Sequence, residues 1–363
     1  MIKLWNTLFR EGKYQQIVDD SFNRPLEGLG RADFNYLGLS ALASKSHDWF
    51  DGITLTNLPE QLQPYYSLYY GATFYQRKDY VKASELINAC KPAVKNDGYI
   101  LDGTGCSWLR GVSSYTHQLD LSNPPALANP AIEFVTPASK LKNSPLCFLA
   151  SADSNYFSKF GGGLINSFIE KRDNECLLFL AIINPTIEAI FWIEQNQARL
   201  SESGIHFLTT SGNDNKTYYA CNRFLLIPQL LQQLGSGIFS IDIDAIFVSP
   251  TSTFTRRLLG LDGAFQQQEY RLPWQRCQAG RIYFANTDNG QIMAKTVADF
   301  CRWIYDESVD QWFLDQNALE YYRRTQEESG TSKLENLHKL RDVKSGIFCP
   351  PGSKKKQLES TLF

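Results

Sequence analysis

Residues 237–250 read GIFSIDIDAIFVSP, an apolar run with two carboxylates, Asp242 and Asp244, in its middle. A buried carboxylate without a partner is costly, and two close together also repel each other. A hard divalent cation held by oxygen ligands keeps both ionised, so the pair points to Mn2+ or Mg2+. Read as one continuous strand, Ser240, Asp242 and Asp244 share a face, while Ile241, Ile243 and Ala245 share the other. Alternate residues on a strand lie roughly 7 Å apart, whereas a metal–oxygen bond is about 2.1 Å. Without a bend, one carboxylate grips the ion and the other works through a water or a substrate hydroxyl. The competing reading is a solvated strand end with helix-capping Asp residues.

The elements around this pair alternate. SPLCFLAS is expected to be a strand and GGLINSFIEKR a helix; CLLFLAII is a strand, followed by a helix in PTIEAIFWIEQNQARL opened by Pro185, with Thr186 in its first turn. GIHFLTT is a strand, and TYYACNRFLLIPQLLQQL is a helix containing Pro228. Such alternation predicts an α/β fold with a mainly parallel sheet covered on both faces. Ligands bind such sheets beyond the carboxyl ends of the strands.

Residues 1–120 have a different pattern, helical and repetitive. Tyr14, Trp49 and Tyr80 lie 35 and 31 residues apart, each after a polar turn. The spacing is near the ~34-residue period of helix–turn–helix repeats. This half resembles a short tetratricopeptide-repeat array, whose stacked pairs make a concave surface for a partner; an irregular helical bundle is the alternative. A last helix is expected within 98–120. The three prolines of LSNPPALANP, residues 121–130, cannot continue a helix. The expected division is therefore 1–125, all helical, and 126–363, α/β.

The chain is 43% hydrophobic and 13% aromatic, with formal net charge −2, so no global field favours nucleic acid or an anionic membrane. Its longest apolar run, CLLFLAII, is too short to span a bilayer. Eight scattered cysteines without a CxxC suit reduced core residues, and the expected location is cytoplasmic.

Five stretches, in order, resemble the GT-A glycosyltransferases, most of all the glycosyltransferase family 8 group that includes glycogenin and bacterial galactosyltransferases. They are FLASADSNYFSKFGGGLINSFIE (148–170), TYYACNRFLLIPQLL (217–231), IDIDAIFV (241–248), QAGRIYFAN (278–286) and WFLDQNALEY (312–321). The resemblance implies a Rossmann-like GT-A domain that moves a sugar from a nucleotide sugar, most often a UDP-sugar, to a glycan or protein acceptor. It implies that Asp153, Asn155 and Tyr156 hold the base and ribose, and that Asp242 and Asp244 hold the metal. Arg223 would approach the donor phosphates or sugar, Gln278 and Ala279 would face the sugar, and Asp315 and Gln316 would sit beside its anomeric carbon. Each has a plainer alternative: Asp315 as the cap of a helix starting at Gln316; Arg223, four residues after Tyr219 on one helix face, in an ordinary surface ion pair; Trp274 and Trp312 as packing.

A haloacid-dehalogenase-type phosphatase also places DxD after a strand, with the first Asp attacking phosphorus. There the motif stands near the domain start, whereas here several strand–helix units precede it. The sequence departs from the glycosyltransferase pattern at its end. The family closes on a His followed by Gly and Lys; here KSGIFCPPGSKKKQ keeps glycines and lysines without the His, and His338 lies upstream as an expected helix residue. The lysines, with Lys354 and Lys355 foremost, are expected to fold over a diphosphate. The missing His leaves a second hypothesis: a non-catalytic repeat scaffold with a degenerate nucleotide-sugar domain. The repeats would then serve a protein partner or self-association.

Overall fold

The computed structural model describes residues 2–94, 119, 121–135, 141, 144–173, 175–308, 311, 313–350, 355, 359 and 361–363. The helix expected within 98–120, Trp312 and Lys354 therefore lie outside the described residues, apart from residue 119. The chain forms two compact units. The first comprises Met1–Gln118, Gln268–Cys277 and Ser308–Glu320; the second comprises Leu119–Gln267, Gln278–Glu307 and Tyr321–Phe363. The units are thus not contiguous in sequence, unlike the expected division at 125/126.

The first unit begins with α1 (Ile2–Arg10), α2 (Tyr14–Ser21), α3 (Arg31–Ser44), α4 (Asp48–Asp51), α5 (Gln63–Gln76) and α6 (Tyr80–Val94). Tyr14 and Tyr80 open α2 and α6, whereas Trp49 sits in the four-residue α4, so the middle pair lacks a full second helix. The helices approach closely where glycine allows it. A Cβ on Gly38 would lie 2.4 Å from the Tyr69 ring, joining α3 to α5. Leu272 and Trp274, from a segment far along the chain, are buried in this same apolar core. Trp274 is therefore packing, as its plainer alternative had it.

In the second unit the described strands are β1 (Ile132–Phe134), β2 (Cys147–Asp153), β3 (Leu177–Ile183), β4 (Ile205–Thr210), β5 (Ile238–Ile241), β6 (Ile246–Phe247), β7 (Gly263–Gln267), β8 (Cys277–Phe284), β9 (Leu334–Asn336) and β10 (Ile347–Phe348). The sheet order is β1-β4-β3-β2-β5-β8-β7-β9, with β10 and β6 a separate antiparallel pair. β4, β3, β2 and β5 run parallel, and β1 and β8 are antiparallel to their neighbours. The helices of this unit are α7 (Ser154–Lys171), α8 (Ile187–Glu202), α9 (Lys216–Leu234), α10 (Ser252–Leu258), α12 (Asp288–Ile304) and α14 (Arg341–Gly346); α11 (Pro273–Arg276) falls in the first unit, and α13 (Leu314–Ser329) begins in the first and ends in the second. The expected α/β class with a mainly parallel sheet is what the chain adopts. No helix among the described residues is long and apolar enough to cross a membrane.

The strand-to-helix turns are fixed by side-chain caps, which satisfy backbone N–H groups that a helix start leaves open. Asp153 accepts from Tyr156 N, Thr186 from Ala189 N and Asn215 from Tyr218 N. Thus α7 begins at Ser154, eight residues before the expected GGLINSFIEKR helix, and Thr186 is the cap of α8 instead of a first-turn residue. Beneath the sheet, Phe148 packs edge-on against Phe247 at 4.9 Å and Phe254 at 5.4 Å between ring centroids.

The largest departure is at the acidic pair. β5 stops at Ile241, and Asp242–Asp244 lies on a turn closed by Ala245 N donating to Asp242 O at 3.1 Å. The alternation that put Ser240, Asp242 and Asp244 on one face therefore ends at Ile241. The expected separation of the carboxylates along a straight strand does not apply.

Candidate functional site

The turn after β5 is where the second unit concentrates opposite charges. Arg223, on the buried face of α9, donates through Nη1 to Asp242 Oδ1 at 2.5 Å and through Nη2 to the Ala279 carbonyl at 2.9 Å. Arg223 is only 8% exposed, which excludes the surface ion pair as its role. Lys355 forms an ion pair with Asp244 Oδ2, and the Asp244 side chain is 3% exposed. Gly280 on β8 leaves room for the acid, since a Cβ there would meet Asp242 Oδ2 at 2.8 Å.

α9 is held in place by a polar chain. Ser151 Oγ donates to Asn222 Oδ1 at 2.8 Å, Asn222 Nδ2 to the Tyr218 hydroxyl at 3.2 Å, and that hydroxyl to Ser211 O at 3.0 Å. The chain ties the helix that presents Arg223 to β2, whose end carries Asp153.

The two acids respond differently to this setting. Burial pushes the Asp242 carboxyl up, but Arg223, Lys355 and Arg281 together outweigh it and hold it below its ordinary range. Burial and then the charge of Asp242 push Asp244 above its ordinary range, against the opposing pull of Lys355 and Arg223. Like charges at one site part in this way. Lys355 is held above its ordinary value; burial opposes this, and Asp244, Asp242 and Tyr156 outweigh it. Tyr156, Asp242, Asp244, Arg223 and Lys355 are thereby one electrostatic group.

Several participants were not singled out from sequence. Arg281 donates to Gln266 Oε1 at 3.1 Å and to the carbonyls of Ile347, at 3.0 Å, and Lys344. It links the acidic turn to a cavity of 430 Å³ lined by His338, Arg341, Lys344 and Ser345. His338 lies in a turn, not in a helix as expected, and its Nδ1 faces Lys344 Nζ at 2.8 Å. Tyr219 hydrogen-bonds Asp214; burial raises its hydroxyl first, then Asp214 and Asp153. Burial, followed by Asp242, pushes the Cys349 thiol up to about 12. Strand periodicity could not have revealed these groups, because turns and separate chain segments bring them together.

Of the other expected site residues, Asn155 and Tyr156 are exposed at the start of α7, Gln278 is half-buried and Ala279 buried on β8. Asp315 and Gln316 belong to the first unit, whereas the acidic pair belongs to the second. The helix carrying them starts at Leu314, so Asp315 is a buried first-turn residue and not the cap of a helix starting at Gln316; its Oδ1 accepts from Gln316 N at 2.8 Å.

The bend at Asp242–Asp244 removes the objection of reach to one divalent ion, but the residues as placed do not fit one. Each carboxylate already faces a side-chain cation, and Lys355 stands on the more buried acid. Among the described residues no group of three His, Cys, Asp or Glu side chains converges to complete a metal shell. The expected Mn2+ or Mg2+ would compete with Arg223 and Lys355 for the same oxygens.

No family model and no curated protein matches this chain. Among solved structures it is similar to the apo form of the glycosyltransferase GlyE of Streptococcus pneumoniae TIGR4, at 16% identity and TM-score 0.38, over 51% of this chain and 44% of that one. It is also similar to the galactosyltransferase LgtC in complex with donor and acceptor sugar analogues, at 12% identity and TM-score 0.35, over 48% and 70%. A third is S. aureus TarS 1-349, at 12% identity and TM-score 0.34, over 49% and 55%. The chain thus spans less than half the length of the GlyE chain.

Proposed function

We propose that the protein is a glycosyltransferase: its second unit binds a nucleoside-diphosphate sugar, a UDP-sugar first, and it passes the sugar to a hydroxyl of a glycan or protein acceptor. The observation that supports this most is the turn at Asp242–Asp244 with Arg223 and Lys355 fixed upon it. β2 and β5 are parallel neighbours, and their carboxyl ends present Asp153 and Asp242. That edge is where open α/β sheets take ligands.

In this reading Asp153, Asn155 and Tyr156 hold base and ribose, and Gln278 and Ala279 face the sugar. When the bond between the anomeric carbon and the diphosphate oxygen breaks, its electron pair stays on that oxygen. The acceptor oxygen bonds to the same carbon, and its proton passes to solvent. The sugar acquires oxocarbenium character while the diphosphate gains charge. Preorganised cations near that oxygen lower the barrier, and Arg223 and Lys355 are such cations. The sequence resemblance alone assigns Asp315 and Gln316 to the anomeric carbon and Lys354 to the diphosphate. The spacing of Tyr14, Trp49 and Tyr80 supports the tetratricopeptide-like reading of residues 1–125, as a surface for a protein acceptor, a partner or a second copy.

A thermal-shift panel of UDP-, GDP-, CMP- and dTDP-sugars, followed by assay for free nucleotide, tests the proposal. One donor is expected to raise the melting temperature and to release its nucleotide. Stabilisation without release would identify a binding scaffold, and no response to any donor would overturn the reading.

A further inference from the structure

We infer that Arg223 and Lys355 do the work that the sequence resemblance gives to a divalent ion: they balance the acidic pair in the free protein and the diphosphate in the loaded one. The inference rests on the nucleotide-sugar reading above and concerns how that site manages charge.

The charges close without a metal. Two carboxylates face two cations, in the pairs Asp242–Arg223 and Asp244–Lys355. The two cations differ in a useful way. Arg223 is buried, and both its terminal nitrogens are spoken for, by Asp242 and by the Ala279 carbonyl. Its planar fork is therefore held in one orientation and needs no rearrangement when a ligand arrives. The Lys355 side chain is 34% exposed while its ammonium grips Asp244. An ammonium has three donors and one contact uses one of them, leaving donors for a phosphate oxygen.

The surroundings have the same preference. Arg281, whose charge is felt at Asp242, is bonded to the Lys344 carbonyl, and Lys344 lines a cavity with His338, Arg341 and Ser345. A divalent cation here would meet the like charge of Arg281 and would have to displace Lys355 from a carboxylate that is nearly closed to water. A diphosphate meets opposite charge from Arg223, Lys355 and Arg281. His338 is not turned to complete a metal shell, because its Nδ1 accepts from Lys344; an ammonium has no acceptor to offer.

The full chain, titrated with UDP, GDP, CMP and dTDP by calorimetry in EDTA and again in MnCl2, tests this. One nucleotide is expected to bind in EDTA with a dissociation constant within about threefold of that in MnCl2. Lys355→Gln and Arg223→Gln are each expected to weaken that binding by about ten- to a hundredfold, the range of a lost charge-assisted hydrogen bond. Lys355→Arg should retain most of it. A second readout needs no nucleotide: free Mn2+ followed by its paramagnetic resonance signal. Wild type is expected to take up little Mn2+, and Lys355→Gln to take up more, because the exchange opens Asp244. Binding that appears only with Mn2+, with Lys355→Gln no weaker than wild type, would overturn the inference and leave the nucleotide-sugar reading intact. Binding of no nucleotide in either buffer would overturn that reading, and the inference with it.

Discussion

Each unit of the molecule holds buried opposite charges, and it holds them in different ways. In the first, Arg276 Nη1 lies 3.0 Å from Glu320 Oε1, with side-chain exposures of 6% and 0%. The Tyr75 hydroxyl donates to the same oxygen at 3.1 Å, and the Cys277 thiol to the other at 3.3 Å. The carboxylate is fully buried, and these contacts join α5 to the two later segments of the chain. In the second unit each pair has one member open to water: Asp242 at 39% and Lys355 at 34%. A closed pair can only hold structure, whereas an open pair can exchange its partner for a ligand.

Breaking the closed pair should give the largest effect. Glu320→Ala leaves Arg276 buried without its counter-charge, and the expected loss is about 3–5 kcal/mol in urea denaturation of the full chain. Pairing Glu320→Leu with Arg276→Met should recover most of it, since removing both charges removes the penalty. In the open site the expected loss is in activity. Asp244→Asn should reduce nucleotide release by about 10²–10³-fold, in the range of other preorganised electrostatic contacts. Its denaturation midpoint should not fall, because the change relieves the repulsion from Asp242. A midpoint that dropped as far as in Glu320→Ala would make Asp244 a structural residue and erase the contrast.

How much of this was legible in the sequence follows the range of the forces involved. β2, β3, β4, α8 and α9 were found within a few residues because apolar runs and their punctuation are local signals. The acidic turn was not. Ile243, Ala245, Ile246 and Phe247 continue a strand pattern, and the bend is where α9, distant in sequence, delivers Arg223 to Asp242. The sequence offered the lysines near the C-terminus only as an expected phosphate cover, and the choice of Asp244 as the partner of Lys355 is a tertiary fact. Trp274 stands four residues before QAGRIYFAN yet packs in the helical core; nothing in an aromatic side chain tells which core it will join. Glu320, in the stretch used to recognise a donor-site element, belongs to the closed pair for the same reason.

The smallest effect expected is a pH dependence in the basic wall of the cavity lined by His338, Arg341 and Lys344. Burial lowers the pKa of His338 from 6.5, and Lys344 and Arg281 lower it further. Burial, then Arg281 and Arg341, likewise lowers that of Lys344 from 10.5. For both groups the unfolded chain binds the proton more tightly than the folded one, so stability rises with pH across each interval between folded and unfolded values. For His338 this means a contribution complete above pH 6.5 and lost as pH falls through its lower folded value. His338→Gln should flatten the stability curve below pH 6.5 and leave the alkaline interval in place. Lys344→Gln should remove the alkaline interval and shrink the acidic one, because its charge is one cause of the His338 shift. The His338 ring proton resonance, followed by NMR across the same range, reads the coupling directly: its midpoint should move up toward 6.5 in Lys344→Gln. An unmoved midpoint would mean that the two side chains do not share a charge environment. The wall would then have to be regarded as separate groups and not as one surface ready for an anion.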